Sequence, residues 1–151
     1  MKKRCLQPLL RLYHCHPVLL QSWFGGTATI SLEITDLETS VFGVSMLISY
    51  DASVVEVDTS NSFGQGAYFG TTAISLFETV DDTVHFSISA IHGDATVNGT
   101  GKLCDFEITG LTQGTSTFTI VPEVIYFIDD NGDAVIITNL EVGELTITVS
   151  G

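Results

Sequence analysis

Asp129, Asn131 and Asp133 stand at the D-x-N-x-D spacing of a calcium loop, which gathers side-chain oxygens from alternate positions around a hard cation. Such a loop wants glycine at position six and a bidentate glutamate at position twelve; here those positions are Ala134 and Leu140. Asn131-Gly132 between two apolar runs also matches a hairpin turn. The turn is the leading reading and a calcium site the alternative. Near the start, Cys5, His14, Cys15 and His16 supply metal-ligating atoms. Their spacing fits no zinc pattern, and adjacent side chains cannot all converge on one ion.

Nucleophilic and acid–base chemistry find little to work with. His85 and His92 accompany no G-x-S-x-G, H-E-x-x-H or C-x-x-C motif. A carboxylate pair is able to cleave a glycosidic bond, yet among 18 acids chance pairs are expected and solvated surface charge is the better reading. Cys104 falls on the apolar side of an alternating run and reads as a small core residue. These observations point to a binding module, not an enzyme, and imply no cofactor.

The elements that position such residues follow from composition and periodicity. The chain has 151 residues, 44% of them hydrophobic, which suits one domain with one core. Its net charge of −13 is unevenly spread. Residues 1–24 hold four of the five bases and no acid, whereas residues 25–151 hold Lys102 and all 18 acids. A surface so short of Lys and Arg repels phosphate backbones and anionic membranes, which excludes nucleic acid and membrane as partners. Residues 1–26 read as an atypical N-terminal leader outside the fold, too short and too polar to span a bilayer. Residues 27–151 form the domain.

From Thr27 onward the period is two. The run Phe42 to Val57 is the plainest case: Phe42, Val44, Met46, Ile48 and Tyr50 alternate with small or polar residues, a turn follows at Tyr50–Ser53, and Val54–Val57 resumes the pattern. Thr27–Ile34 precedes it, with Asp36–Ser40 as a polar turn between. Further strands are expected at 73–78, 83–91, 101–109, 114–121, 124–128, 134–138 and 144–149. Asp58–Gly70 reads as a long loop whose Tyr68 and Phe69 either stack on sugars or plug the core. About ten short strands without a helical period predict an all-β, two-sheet antiparallel sandwich. Its core should include Phe42, Val44, Met46, Ile48, Tyr50, Phe86, Ile88, Phe106, Ile108, Phe118, Ile120 and Ile147.

Several phrases, in order, resemble the cohesin module of cellulosomes and related surface proteins. They are SYDASVVEV, the alternating VHFSISAI, Gly101-Lys102-Leu103, the GTSTFTI strand start, the DDNGD turn and the closing GELTI. The resemblance covers roughly residues 27–150. It implies a jelly-roll sandwich on the cell surface or outside the cell that docks a dockerin-like partner. It also implies that the contact face carries Gly43, Ser45, Leu47, Leu76, Glu78, His85 and Ser87. Cellulosomal members often have Asn-x-Asp where this chain has Gly43-Val44-Ser45, which makes the face flatter and less polar. Related folds bind cellulose, so polysaccharide is the second partner class, with Tyr68, Phe69 and Phe77 as the stacking candidates; a structural role in a larger surface protein is a further alternative. Cohesin-like modules usually open with a Val-rich strand that residues 1–26 do not resemble.

Overall fold

The computed structural model describes residues 8–13, 19–21 and 25–150. It contains two β-sheets packed face to face, and its one helical segment among the described residues is a 3-10 turn at Pro122–Val124. The first sheet holds β1 (Leu9–Tyr13), β3 (Thr27–Val41), β5 (Val55–Val57), β6 (Gly64–Gln65), β9 (Val97–Gly110) and β13 (Glu141–Val142). In the second are β2 (Leu19–Gln21), β4 (Gly43–Ser49), β7 (Ile74–Val80), β8 (Thr83–Ser89), β10 (Gly114–Ile120), β11 (Tyr126–Ile128), β12 (Ala134–Val135) and β14 (Glu144–Ser150). This is the expected jelly-roll sandwich. Among the described residues two pairings are parallel, β1 with β13 and β2 with β14, and both involve the strands Leu9–Tyr13 and Leu19–Gln21.

The chain changes sheets where its alternation resets. Val41 ends β3 fully buried, and Phe42 is the crossing point. Its N–H donates to Ile128 O of the second sheet at 2.7 Å and its carbonyl accepts at 2.9 Å from the N–H of Ala90, the residue that follows β8. Phe42 is only partly buried, while the other eleven expected core residues are buried. The chain crosses back at the corner after Tyr50. There Asp51 N–H donates at 2.9 Å to the Oγ of Ser116, the one buried polar side chain among the described residues, and the Asp51 carboxylate accepts from the Ser53 hydroxyl and N–H.

Aromatic rings tie the sheets together. Phe106 of the first sheet lies 5.1 Å from Phe77 and 6.2 Å from Phe118 of the second, and Tyr50 stacks on Phe118 at 5.1 Å. Such offset and tilted contacts add to the burial of large apolar surfaces.

Three expectations need correction. Asp36–Ser40 is not a turn: β3 runs through it against an equally extended β9, with Leu37 opposite Gly99 and Val41 opposite Val97. Bulges absorb the polar residues, and Asp36 takes φ +55°. Ala134–Thr138 is strand only at Ala134–Val135. Most consequentially, two segments of the first 26 residues, Leu9–Tyr13 and Leu19–Gln21, are strands of the sandwich and not outside it. Leu9–Tyr13 pairs residue for residue with Ser31–Thr35, and Leu10 and Leu12 are buried in the common core. Two buried leucines flanking exposed Arg11 make a half-buried strand, and it sits in the sheet where an opening strand was missed.

Candidate functional site

The outward side of β7, β8, β4 and β11 presents cross-strand rows fixed by the register. Ile74, Ser89, Gly43 and Ile128 lie opposite one another in one row, and Leu76, Ser87, Ser45 and Tyr126 in the next. Glu78, His85 and Leu47 form a third, and Val80, Thr83, Ser49 and Thr119 a fourth. All seven predicted contact residues thus come together on one face. Leu76 and Glu78 are exposed, and Ser45, Leu47, His85 and Ser87 are half-buried. Gly43 is the exception, being buried. A Cβ there would lie 3.0 Å from Ile88 O and 3.1 Å from Ser89 Cβ and Ile128 Cγ1, so its neighbours close over it and it offers no contact surface.

The first two rows enclose a trough of about 410 Å³. Its walls are apolar and unusually exposed: Ile74 is 68% exposed and Leu76 53% on one side, and Tyr126 is 59% exposed on the other, beside Ile128. Its floor is made of serines. The Ser45 and Ser87 hydroxyls bond each other at 2.9 Å, and Ser89 Oγ donates to Ala90 O at 2.8 Å. Sequence reasoning missed the walls at Ile74, Tyr126 and Ile128. Ile74 shares the parity of Leu76, a usable signal, but Tyr126 sits inside the apolar run Ile125–Ile128, where parity carries no contrast.

The other candidates lie elsewhere. Tyr68 and Phe69 are buried, edge to face at 5.0 Å, and burial pushes the Tyr68 phenol up to about 12. Phe77 stacks on Phe63 at 4.7 Å. The sugar-stacking candidates therefore belong to the core, where the long loop folds back over it. In the 129–133 turn, Asp129 Oδ1 accepts the N–H of Asn131 and of Asp133, both at 2.9 Å, and Gly132 takes φ +82°. That carboxylate caps a hairpin. Among the described residues no group of three or more His, Cys, Asp or Glu is placed to hold a metal ion. Cys5, His14, Cys15 and His16 lie outside the described residues. Cys104 is fully buried, and burial raises its thiol pKa far above the usual value. No helix of the described residues is long and apolar enough to cross a membrane.

No family model and no curated protein matches the sequence. Solved structures do match. A non-cellulosomal cohesin from the archaeon Archaeoglobus fulgidus is 14% identical at a TM-score of 0.70, over 97% of this chain and 93% of that one. A cohesin module from a family 33 glycoside hydrolase of Clostridium perfringens gives 13% and 0.69, over 95% and 96%. A cohesin of Acetivibrio cellulolyticus, solved in complex with a dockerin and displaying a type I interaction, gives 11% and 0.69, over 95% and 99%. At such identities the likeness establishes the fold, which is that of cohesin modules, as the sequence resemblance implied.

Proposed function

We propose that this chain, with the fold of a cohesin, is a non-catalytic binding module outside the cell or on its surface that docks a dockerin-like protein on the face of β7, β8, β4 and β11. The observation that carries the reading is the serine-floored trough between exposed Ile74 and Leu76 and exposed Tyr126. Large apolar side chains left in water around a shallow groove mark interaction sites more often than chance exposure does. The small floor lets a helix approach closely, and Leu47 and Leu76 are its apolar anchors.

Protein is favoured over polysaccharide because glycan binding on a sandwich needs a row of exposed aromatic rings. Among the side chains described, Tyr126 is the one exposed aromatic. Titrating the full chain against a panel of dockerin modules, and against soluble and insoluble polysaccharides, separates the two. Saturable binding to a dockerin with none to glycan is expected. Glycan binding without any dockerin would replace this reading with the carbohydrate one.

A further inference from the structure

We infer that the partner seated in this trough is a helix whose apolar stripe is flanked by lysine or arginine. The inference rests on the docking reading above and specifies the chemistry of the occupant.

The floor sets the first requirement. Ser89 donates to Ala90 O, and the Ser45–Ser87 bond uses one of the two remaining hydroxyl hydrogens. An occupant that seals the floor therefore has one hydroxyl hydrogen to satisfy, which a single backbone carbonyl does. The walls are the apolar flanks of Ile74, Leu76, Tyr126 and Ile128, and the remaining polar lining residue, Ser75, already donates its hydroxyl to Gln65 Oε1 at 2.6 Å. Apolar side chains of the occupant fit there without stranding polar groups.

The rim sets the second requirement. Glu78 lies on the face itself. At one end of its strands the Asp81-Asp82 turn joins β7 to β8, with Asp51 beside it, since Ala52 N–H donates to Asp82 Oδ1. At the other end Asp129 and Asp130 follow Ile128, and Asp94 is tied to Thr72 just before β7. Two histidines lie among these groups, His85 opposite Glu78 and the exposed His92 two residues before Asp94. The described lysine and arginine, Lys102 and Arg11, are on the other sheet, bonded to Asp105 and Glu33. Carboxylates thus stand on the face at Glu78 and beyond both ends of its strands, so the potential over the trough is negative and weakens with salt. A cationic flank is drawn in and an anionic one rejected. The same charges argue against a second copy of this chain as the occupant, because a two-fold contact would set one acidic rim on the other.

The test uses the ¹⁵N-labelled full chain and three synthetic helix-forming peptides. One has a Leu/Ile stripe flanked by Lys and Arg, one the same stripe flanked by Glu, and one the Lys and Arg flanks with Ser in place of the stripe. The first should shift the amides of Ser45, Leu76, Ser87 and Tyr126. Its binding should weaken at about 0.5 M NaCl and fall about threefold with Glu78→Lys, the scale of one exposed charge contact. Equal binding by the Glu-flanked or the Ser-striped peptide, or no shift at the trough from any of them, overturns the inference. A dockerin docking on this face with salt-insensitive affinity also overturns it and leaves the docking reading standing. The cationic peptide seating in the trough while no dockerin binds does the reverse.

Discussion

Ser45 and Ser87 face each other across β4 and β8 with their hydroxyls 2.9 Å apart, midway between the exposed side chains of Leu76 and Tyr126. Small residues at the centre of the sheet and large ones at its margins give the face its concavity. Replacing Ser87 by Leu fills that concavity without disturbing the inward side of β8, where Phe86 and Ile88 are buried. We expect Ser87→Leu to leave stability within about 0.5 kcal/mol, as for most surface changes. Binding of any partner that seats in the trough should fall by more than about tenfold, or 1.4 kcal/mol. Chemical denaturation and calorimetric titration of the same sample report both quantities.

The opening strand is a load on stability that composition concealed. Leu10 is fully buried and Leu12 nearly so, in the core shared with Ile30, Leu32 and Ile34. Leu10→Ala should cost about 2–5 kcal/mol, the range for emptying a buried leucine site. An unchanged denaturation midpoint would mean that β1 does not hold to the sheet in solution.

Gly66 is fixed by its contact with β9. Its N–H donates to Leu103 O at 2.9 Å, and a Cβ would fall 2.0 Å from Lys102 O and 2.5 Å from the carbonyl carbon. Neither is a side-chain end that can rotate away. Gly66→Ala should cost about 1–3 kcal/mol, the usual range for overpacking, and should loosen the loop that carries Tyr68 and Phe69. Faster hydrogen exchange at Tyr68 N–H is the local readout.

At the Tyr50 corner, hydrogen bonds from the Ser53 hydroxyl and N–H hold the Asp51 carboxyl below the ordinary aspartate value of 3.8. A carboxylate whose pKa is lowered by folding stabilises the fold fully above the unfolded value and loses that contribution as pH falls through the folded one. The difference in Tm between the parent and Asp51→Ala should therefore be level from neutral pH down toward the unfolded value and shrink as pH is taken below 3.8. A gap that widens on acidification would reverse the assigned sign.

Legibility in the sequence followed contrast between neighbouring residues. Phe42–Tyr50 alternates apolar with small or polar residues, so both its buried side and the outward Ser45 and Leu47 were readable, as was the corner at Asp51. Gly43 was placed on the correct side of β4, but its burial depends on Ser89 and Ile128 from other strands, which no local pattern records. Leu10-Arg11-Leu12 carries the right alternation, hidden beside Leu9 and within a basic segment. Asp36–Ser40 looks like a turn because a bulged strand tolerates polar residues that a regular one does not. Tyr126 could not be assigned a side within its apolar run, so half of the trough emerged only from the register of β11 against β4.

The most direct measurement is the affinity of a dockerin that the chain binds, compared among the parent, Leu47→Glu, Leu76→Glu and Leu111→Glu. Leu47 and Leu76 lie on the face of β4 and β7, whereas Leu111 is exposed off that face, where β9 ends. Docking on the β7–β8–β4 face predicts a loss of at least about tenfold, or 1.4 kcal/mol, for Leu47→Glu and for Leu76→Glu, with Leu111→Glu unchanged and all four proteins equally folded. Full affinity in both face variants, or a loss only in Leu111→Glu, would contradict it.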